Sequence, residues 1–275
     1  MRRTLSSLLG LALLAACAGD PVNPDAARLL AITEPQAIVA GDLDGNLHPF
    51  VGLMVAKNAA GTPLWRCSGA LISPTLYLTA GHCTEAPAAS VEIWFASDVS
   101  AGRPGNGYPF TGEVAGTPYA HPQYDPNNFS LFDLGVVVLS TPVVMASYGT
   151  LPVLNELDRL VAQRGLQDVT FTAVGYGLQR SNPVHIESAL VRMFATPKLH
   201  QVNNGIVGTS VLLLSANHAT GGTCSGDSGG PNFIGSSNVI AGVTSFGLNT
   251  NCAGSSGVFR VDRAHSLDWL ATFLP

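Results

Sequence analysis

The chain has 275 residues, 46% hydrophobic and 11% charged, which is enough apolar material for a real core and argues against a disordered or fibrous protein. Its 13 basic and 18 acidic side chains give a formal charge of −5, and no basic cluster is interleaved with aromatics, so a nucleic-acid partner is not expected. The length suits either two small domains or one large β or α/β unit.

Residues 1–17 read as an export leader. Met1-Arg2-Arg3 is a short basic start, residues 5–14 are an apolar run too short to span a bilayer, and Leu14-Ala15-Ala16-Cys17 offers small residues where a signal peptidase cuts. That tetrad resembles the lipobox of bacterial lipoproteins, which implies an acylated Cys17 that anchors the mature chain to a membrane. The plainer reading is a leader cut near Ala18. No later segment approaches the ~20 apolar residues of a membrane span. An exported bacterial product is therefore expected: secreted, periplasmic or an outer-membrane lipoprotein. Residues 18–37 hold three prolines and no lasting period, and read as a linker or pro-segment.

Ordered structure is expected from Ile38. Apolar residues then come in short bursts, at 50–56, 69–72, 76–80, 91–96, 134–139, 169–174, 211–214, 239–243 and 257–261, bounded by Gly, Pro, Asn and Ser. This predicts an all-β sandwich or barrel rather than alternating βα units. Near the end, Leu267, Leu270, Phe273 and Leu274 fall at helical spacing, so a short amphipathic helix is expected over 264–274.

Three segments carry candidate chemistry. The first is Leu78-Thr79-Ala80-Gly81-His82-Cys83, at the end of an apolar strand; a hairpin at Ser73-Pro74 can bring Cys83 to Cys67, and an exported pair would oxidise. In the second, Asp133 stands at the mouth of the apolar run 134–139. A carboxylate there needs a donor to hold it ionised, and a histidine N–H would serve. The third, Gly222-Thr223-Cys224-Ser225-Gly226-Asp227-Ser228-Gly229-Gly230-Pro231, is the most specific. Its glycines allow a tight backbone in which the amides of Gly226 and Ser228 point at one spot beside the Ser228 hydroxyl, as a developing oxyanion requires.

With these segments in His, Asp, Ser order, the chain resembles the chymotrypsin-like (trypsin-fold) serine endopeptidases. Ile38-Val39-Ala40-Gly41, Cys67-Ser68-Gly69-Ala70-Leu71-Ile72, Val174-Gly175-Tyr176-Gly177, Ser245-Phe246-Gly247 and Gly257-Val258-Phe259 extend the resemblance from Ile38 to Leu274. It implies two antiparallel Greek-key β-barrels packed face to face, about 38–145 and 150–262, with the C-terminal helix against them. It also implies disulfides Cys67–Cys83 and Cys224–Cys252, a triad of His82, Asp133 and Ser228, and an oxyanion hole at Gly226 and Ser228. Protein or peptide substrates are expected, with no metal or organic cofactor.

For the pocket beside the serine, the resemblance points to Gly222, Thr223, Ser245, Phe246, Gly247 and Gly257. Gly222 takes the place of the aspartate that binds Arg or Lys in trypsins, so an open, uncharged slot with a non-basic preference is expected. The resemblance also implies that an activating protease frees Ile38, whose ammonium pairs with Asp227. Ala37 precedes it in place of the usual basic residue, so such a protease would not be trypsin-like. Two other readings stand beside this one. A latent lipoprotein acting as a binding module would have lost a triad residue, and all three are present. An α/β-hydrolase esterase needs the order Ser, Asp, His.

Overall fold

The computed structural model describes residues 37–128, 131–164, 169–182, 185–204 and 208–274, all in the unit Pro35–Pro275. The leader, Cys17 and nearly all of the 18–37 segment lie outside the described residues.

In chain order the strands are β1 (Asp42–Leu43), β2 (Val51–Lys57), β3 (Pro63–Ser73), β4 (Leu76–Thr79), β5 (Ser90–Trp94), β6 (Val114–Ala120), β7 (Gly135–Leu139) and β8 (Phe171–Gly175). They continue with β9 (Arg180–Asn182), β10 (His185–Glu187), β11 (Met193–Ala195), β12 (Leu199–Asn204), β13 (Gly208–Ala216), β14 (Pro231–Ile234), β15 (Ile240–Gly247) and β16 (Gly254–Arg260). Strands β2 to β7 close an antiparallel barrel in the order β2-β3-β4-β7-β6-β5. The second sheet is antiparallel, in the order β1-β11-β8-β14-β15-β16-β13-β12, with β9 and β10 as a separate hairpin. Backbone bonds from Phe171 N to Pro197 O and from Leu199 N to Val169 O tie the approach to β8 to the approach to β12, which curls this sheet on itself. A short helix, Ala264–Ala271, ends the described chain, three residues shorter than the expected 264–274.

Each predicted burst contributes to a strand, but the elements missed are informative. Strand β6 contains Pro118, which cannot donate to a ladder. It is tolerated because pairing with β5 stops at Gly116, leaving that side of the strand open beyond it. The helix Glu156–Arg164 was not expected, although Leu157, Leu160 and Val161 sit at helical spacing and pack into the core of the second sheet. One expected boundary moves: Asp42 and Leu43 pair with Phe194 and Met193, so the first strand belongs to the second sheet, not to the barrel of 38–145.

One apolar cluster runs through both sheets, from Phe50, Leu53 and Trp94 to Tyr176, Phe233, Val243 and Phe259. A second lies on the other face of the curled sheet around Phe171, Leu212, Leu214 and Val258. Each such side chain, fully buried, contributes about 1.5–3 kcal/mol. Polar staples cross between these layers. Arg192, fully buried, donates from Nε to Asp44 Oδ2 at 2.8 Å, from Nη1 to Val51 O, Phe95 O and Tyr176 Oη, and from Nη2 to Gly45 O. Asp44 also takes the ring of His48. Burial pushes the Asp44 carboxyl upward, yet His48 and Arg192 together hold it below the ordinary aspartate value.

Candidate active site

All four residues of β4 are buried, and the strand delivers its end to the helical turn Gly81–Thr84, which carries His82. That turn is held from two sides: Cys83 is disulfide-bonded to Cys67 on β3, and Trp65 Nε1 donates to Cys83 O at 3.0 Å. The loop before β7 brings in Asp133. Phe132 adopts φ +56° and its carbonyl accepts from Leu134 N at 2.7 Å, a tight reversal that turns Asp133 inward. Phe132 itself stacks on His121, which meets Trp269 of the C-terminal helix edge-on, so that helix buttresses the loop.

Asp133 is fully buried, and its oxygens are all engaged. Oδ1 accepts from His82 N at 2.9 Å; the His82 Nδ1 lies 3.1 Å from Oδ1 and 3.0 Å from Oδ2; Ser245 Oγ donates to Oδ2. Ser245, a pocket residue by the resemblance, also braces Asp133, a bond with no signal in the sequence. Burial pulls the His82 pKa down, but the hydrogen bond and charge of Asp133, helped by Glu85, outweigh it and raise it above the ordinary histidine value. A histidine raised in this way stabilises the fold fully below its unfolded pKa, and that contribution is lost as pH rises through the folded pKa.

The serine loop docks on the same strand end. Ser68 N donates to Ser228 O at 2.8 Å, and Thr79 Oγ1 donates to Ser68 O. Gly229, at φ +76°, lies so close that a Cβ would overlap Thr79 Oγ1 and sit 2.8 Å from Ala80 N, two residues before His82. Only glycine permits that approach. Among the described residues, the side-chain bonds of His82 run to Asp133, and Ser228 Oγ is not bonded to its ring; such bonds are often long until substrate is present. Gly226, at φ +97°, gives its carbonyl to Ser68 Oγ, and neither the Gly226 nor the Ser228 amide donates to a backbone carbonyl.

Asp227 is fully buried. It accepts from Gly177 N at 2.8 Å and Cys224 N at 2.9 Å, but burial dominates and pushes its carboxyl up to about 7 despite those bonds and the charge of Arg66. The side chain of Ile38, the other member of the expected activation pair, is buried among Met193, Ala195 and Val191.

The residues that the resemblance assigns to the substrate pocket are closely packed. Cys224 is disulfide-bonded to Cys252, as expected, which joins the serine loop to the approach to β16. Gly222, Thr223, Ser245 and Gly257 are all buried, and only Gly247 stands exposed at the rim. The Phe246 ring lies across Gly257, and Ala216 lies against Gly222, so that a Cβ on either glycine would overlap its neighbour. Cys67, His82 and Cys83 place ligand-type atoms within 4.8 Å of one another, but both sulfurs are committed to the disulfide and are not free donors.

Two antiparallel barrel-like sheets that set a buried aspartate on a histidine and a glycine-flanked serine against the same strand are the architecture of the chymotrypsin-like serine endopeptidases. The chain belongs to the trypsin family: the family model described as Trypsin matches residues 44–270, and the chain is a serine endopeptidase. It is 28% identical to a chymotrypsin of Phaedon cochleariae over 261 residues, covering 92% of this chain and 86% of that protein. It is 26% identical to a trypsin of Saccharopolyspora erythraea over 227 residues, covering 80% and 92%. Among solved structures, HL collagenase matches with a TM-score of 0.65 at 21% identity, over 86% of this chain and 97% of its own. Human heparin binding protein matches with a TM-score of 0.63 at 21% identity, over the same shares. Two disulfides in such a domain suit an oxidising, extracellular setting.

Proposed function

We propose that the chain hydrolyses peptide bonds with Ser228 as nucleophile, His82 as base and Asp133 as the carboxylate that orients it. The observation that carries this reading is the buried Asp133 carboxylate, held on the backbone and ring of His82 and braced by Ser245. With Nδ1–H committed to Asp133, the other ring nitrogen is left as an acceptor. Ser228 Oγ attacks the scissile carbonyl and its proton passes to His82. The amides of Gly226 and Ser228 bind the oxyanion, each worth about 3–4 kcal/mol of the barrier. The tetrahedral species collapses to an acyl-serine as His82 returns the proton to the departing amine, and water then repeats the sequence to release the acid.

Gly222 in place of an acid argues for substrates with a non-basic residue before the scissile bond. Activation belongs to the same reading: a freed Ile38 ammonium would give Asp227 the bonded cation it does not have among the described residues. Heparin binding, named for one structural neighbour, is not carried over to this chain, whose net charge is −5.

The test is intact-mass measurement after a fluorophosphonate probe. One adduct is expected on wild-type protein whose chain begins at Ile38 and none on Ser228→Ala; a folded wild type cut in this way that takes no adduct would overturn the proposal and leave the latent binding module. In an active preparation, kcat/KM is expected to rise with pH as His82 loses its proton, through a midpoint above 6.5. Because the charge of Glu85 helps hold that proton, Glu85→Gln is expected to move the limb to lower pH. An unmoved limb in the pH–rate profile would remove Glu85 from the site.

A further inference from the structure

We infer that Phe246 caps the substrate pocket from within and restricts the residue before the scissile bond to glycine, alanine or serine. This rests on the proposed function and names its substrate class.

The argument starts from register. Leu213, Gly257 and Phe246 are direct partners across β13, β16 and β15, so their side-chain directions share one face of the sheet. On that face Gly257 leaves a gap where its neighbours have side chains, and the Phe246 ring fills it. The pairing of β15 with β16 skips a residue between Thr244 and Phe246, which makes Ser245 the extra residue of a bulge. Bulges re-aim side chains. Here the bulge sends Ser245 to Asp133 and lays the next side chain over Gly257, so the brace of the aspartate and the closure of the pocket are set by one backbone irregularity.

Gly222, on the floor, backs onto Ala216, and Thr223 and Ser245 are buried. The Phe246 ring already holds the space beside Gly257 that a side chain reaching this glycine would need. A methyl or hydroxymethyl group needs none of the covered volume. An aromatic or long aliphatic side chain needs the space that the half-buried ring holds, and would have to displace it from its packing against the core.

The experiment compares kcat/KM for peptide anilides that differ only in Ala or Phe before the scissile bond, in wild type and Phe246→Ala, with fluorophosphonate labelling of Ser228 run on both. Wild type is expected to favour Ala by at least about tenfold, and Phe246→Ala to reverse the preference, on the scale by which pockets discriminate side-chain size. A wild-type preference for Phe, or a ratio unchanged in Phe246→Ala, overturns the proposal while labelling keeps the serine-peptidase reading intact. Both assays use protein cut before Ile38, and absence of labelling in that folded wild type removes that reading and the proposal with it. A thermal-unfolding cycle checks the contact itself. Gly257→Ala is expected to lower the melting temperature by about 5 °C in wild type and to be nearly silent in Phe246→Ala. Equal losses in the two backgrounds would overturn the packing on which the proposal stands.

Discussion

Asp133→Asn is expected to lower kcat by about 10⁴ while the protein stays folded, the size of effect known for the same change in a chymotrypsin triad. The carboxylate accepts from His82 N, from the ring and from Ser245 Oγ. An amide at this place turns an N–H toward Nδ1, which stabilises the tautomer whose far nitrogen is already protonated and cannot take the Ser228 proton. Ser245 can rotate to accept rather than donate, so the loss should fall on the chemistry and not on the fold. Steady-state kinetics beside circular dichroism check it; a loss of less than tenfold would mean that Asp133 does not orient the base.

Arg192→Met is expected to destabilise the fold by about 3–5 kcal/mol, the usual cost of breaking a buried ion pair from one side. Arg192 and the Asp44 side chain are both fully buried, and the substitution strands Asp44 with His48 alone while three backbone carbonyls lose a donor. Replacing both charges, as Arg192→Met with Asp44→Leu, should recover much of the loss, because no isolated charge then remains inside. The sign of the pH dependence follows from Asp44: its pKa is held below the ordinary value, so its contribution is present above the unfolded pKa and lost as pH falls through the folded one. Urea unfolding of the three proteins at neutral and acidic pH measures both effects. A single substitution costing under about 1 kcal/mol would show that the pair is replaceable by water or by neighbouring groups.

The sequence announced the site far more clearly than its supports. His82 and Ser228 stood out as candidates because each lies in a run of small residues with a cysteine close by, in the order His, Asp, Ser along the chain. Asp133 was readable as a lone carboxylate facing an apolar strand. Arg192 and Asp44 gave no such signal, being 148 positions apart and unremarkable in their own segments. Strand β6 was hidden by Pro118, whose tolerance depends on where its neighbour β5 stops pairing. The direction of Phe246 was out of reach for a similar reason. The residue could be assigned to the pocket by resemblance, but whether its ring lines the space or fills it depends on a bulge at Ser245, and a bulge is a relation between two strands, not a property of one.

Ile38 belongs to the turn Ala37–Ala40, at φ +50°, with its side chain fully enclosed by Met193, Ala195 and Val191. On the proposed activation, a protease cutting before Ile38 would have to take that stretch in an open form, so the rate of maturation would be the protease's own rate multiplied by the small fraction of molecules in which the turn has come loose. Each 1.4 kcal/mol of packing around Ile38 would then slow maturation tenfold. The enclosure of one isoleucine would act as a brake set by the chain itself, whatever protease makes the cut.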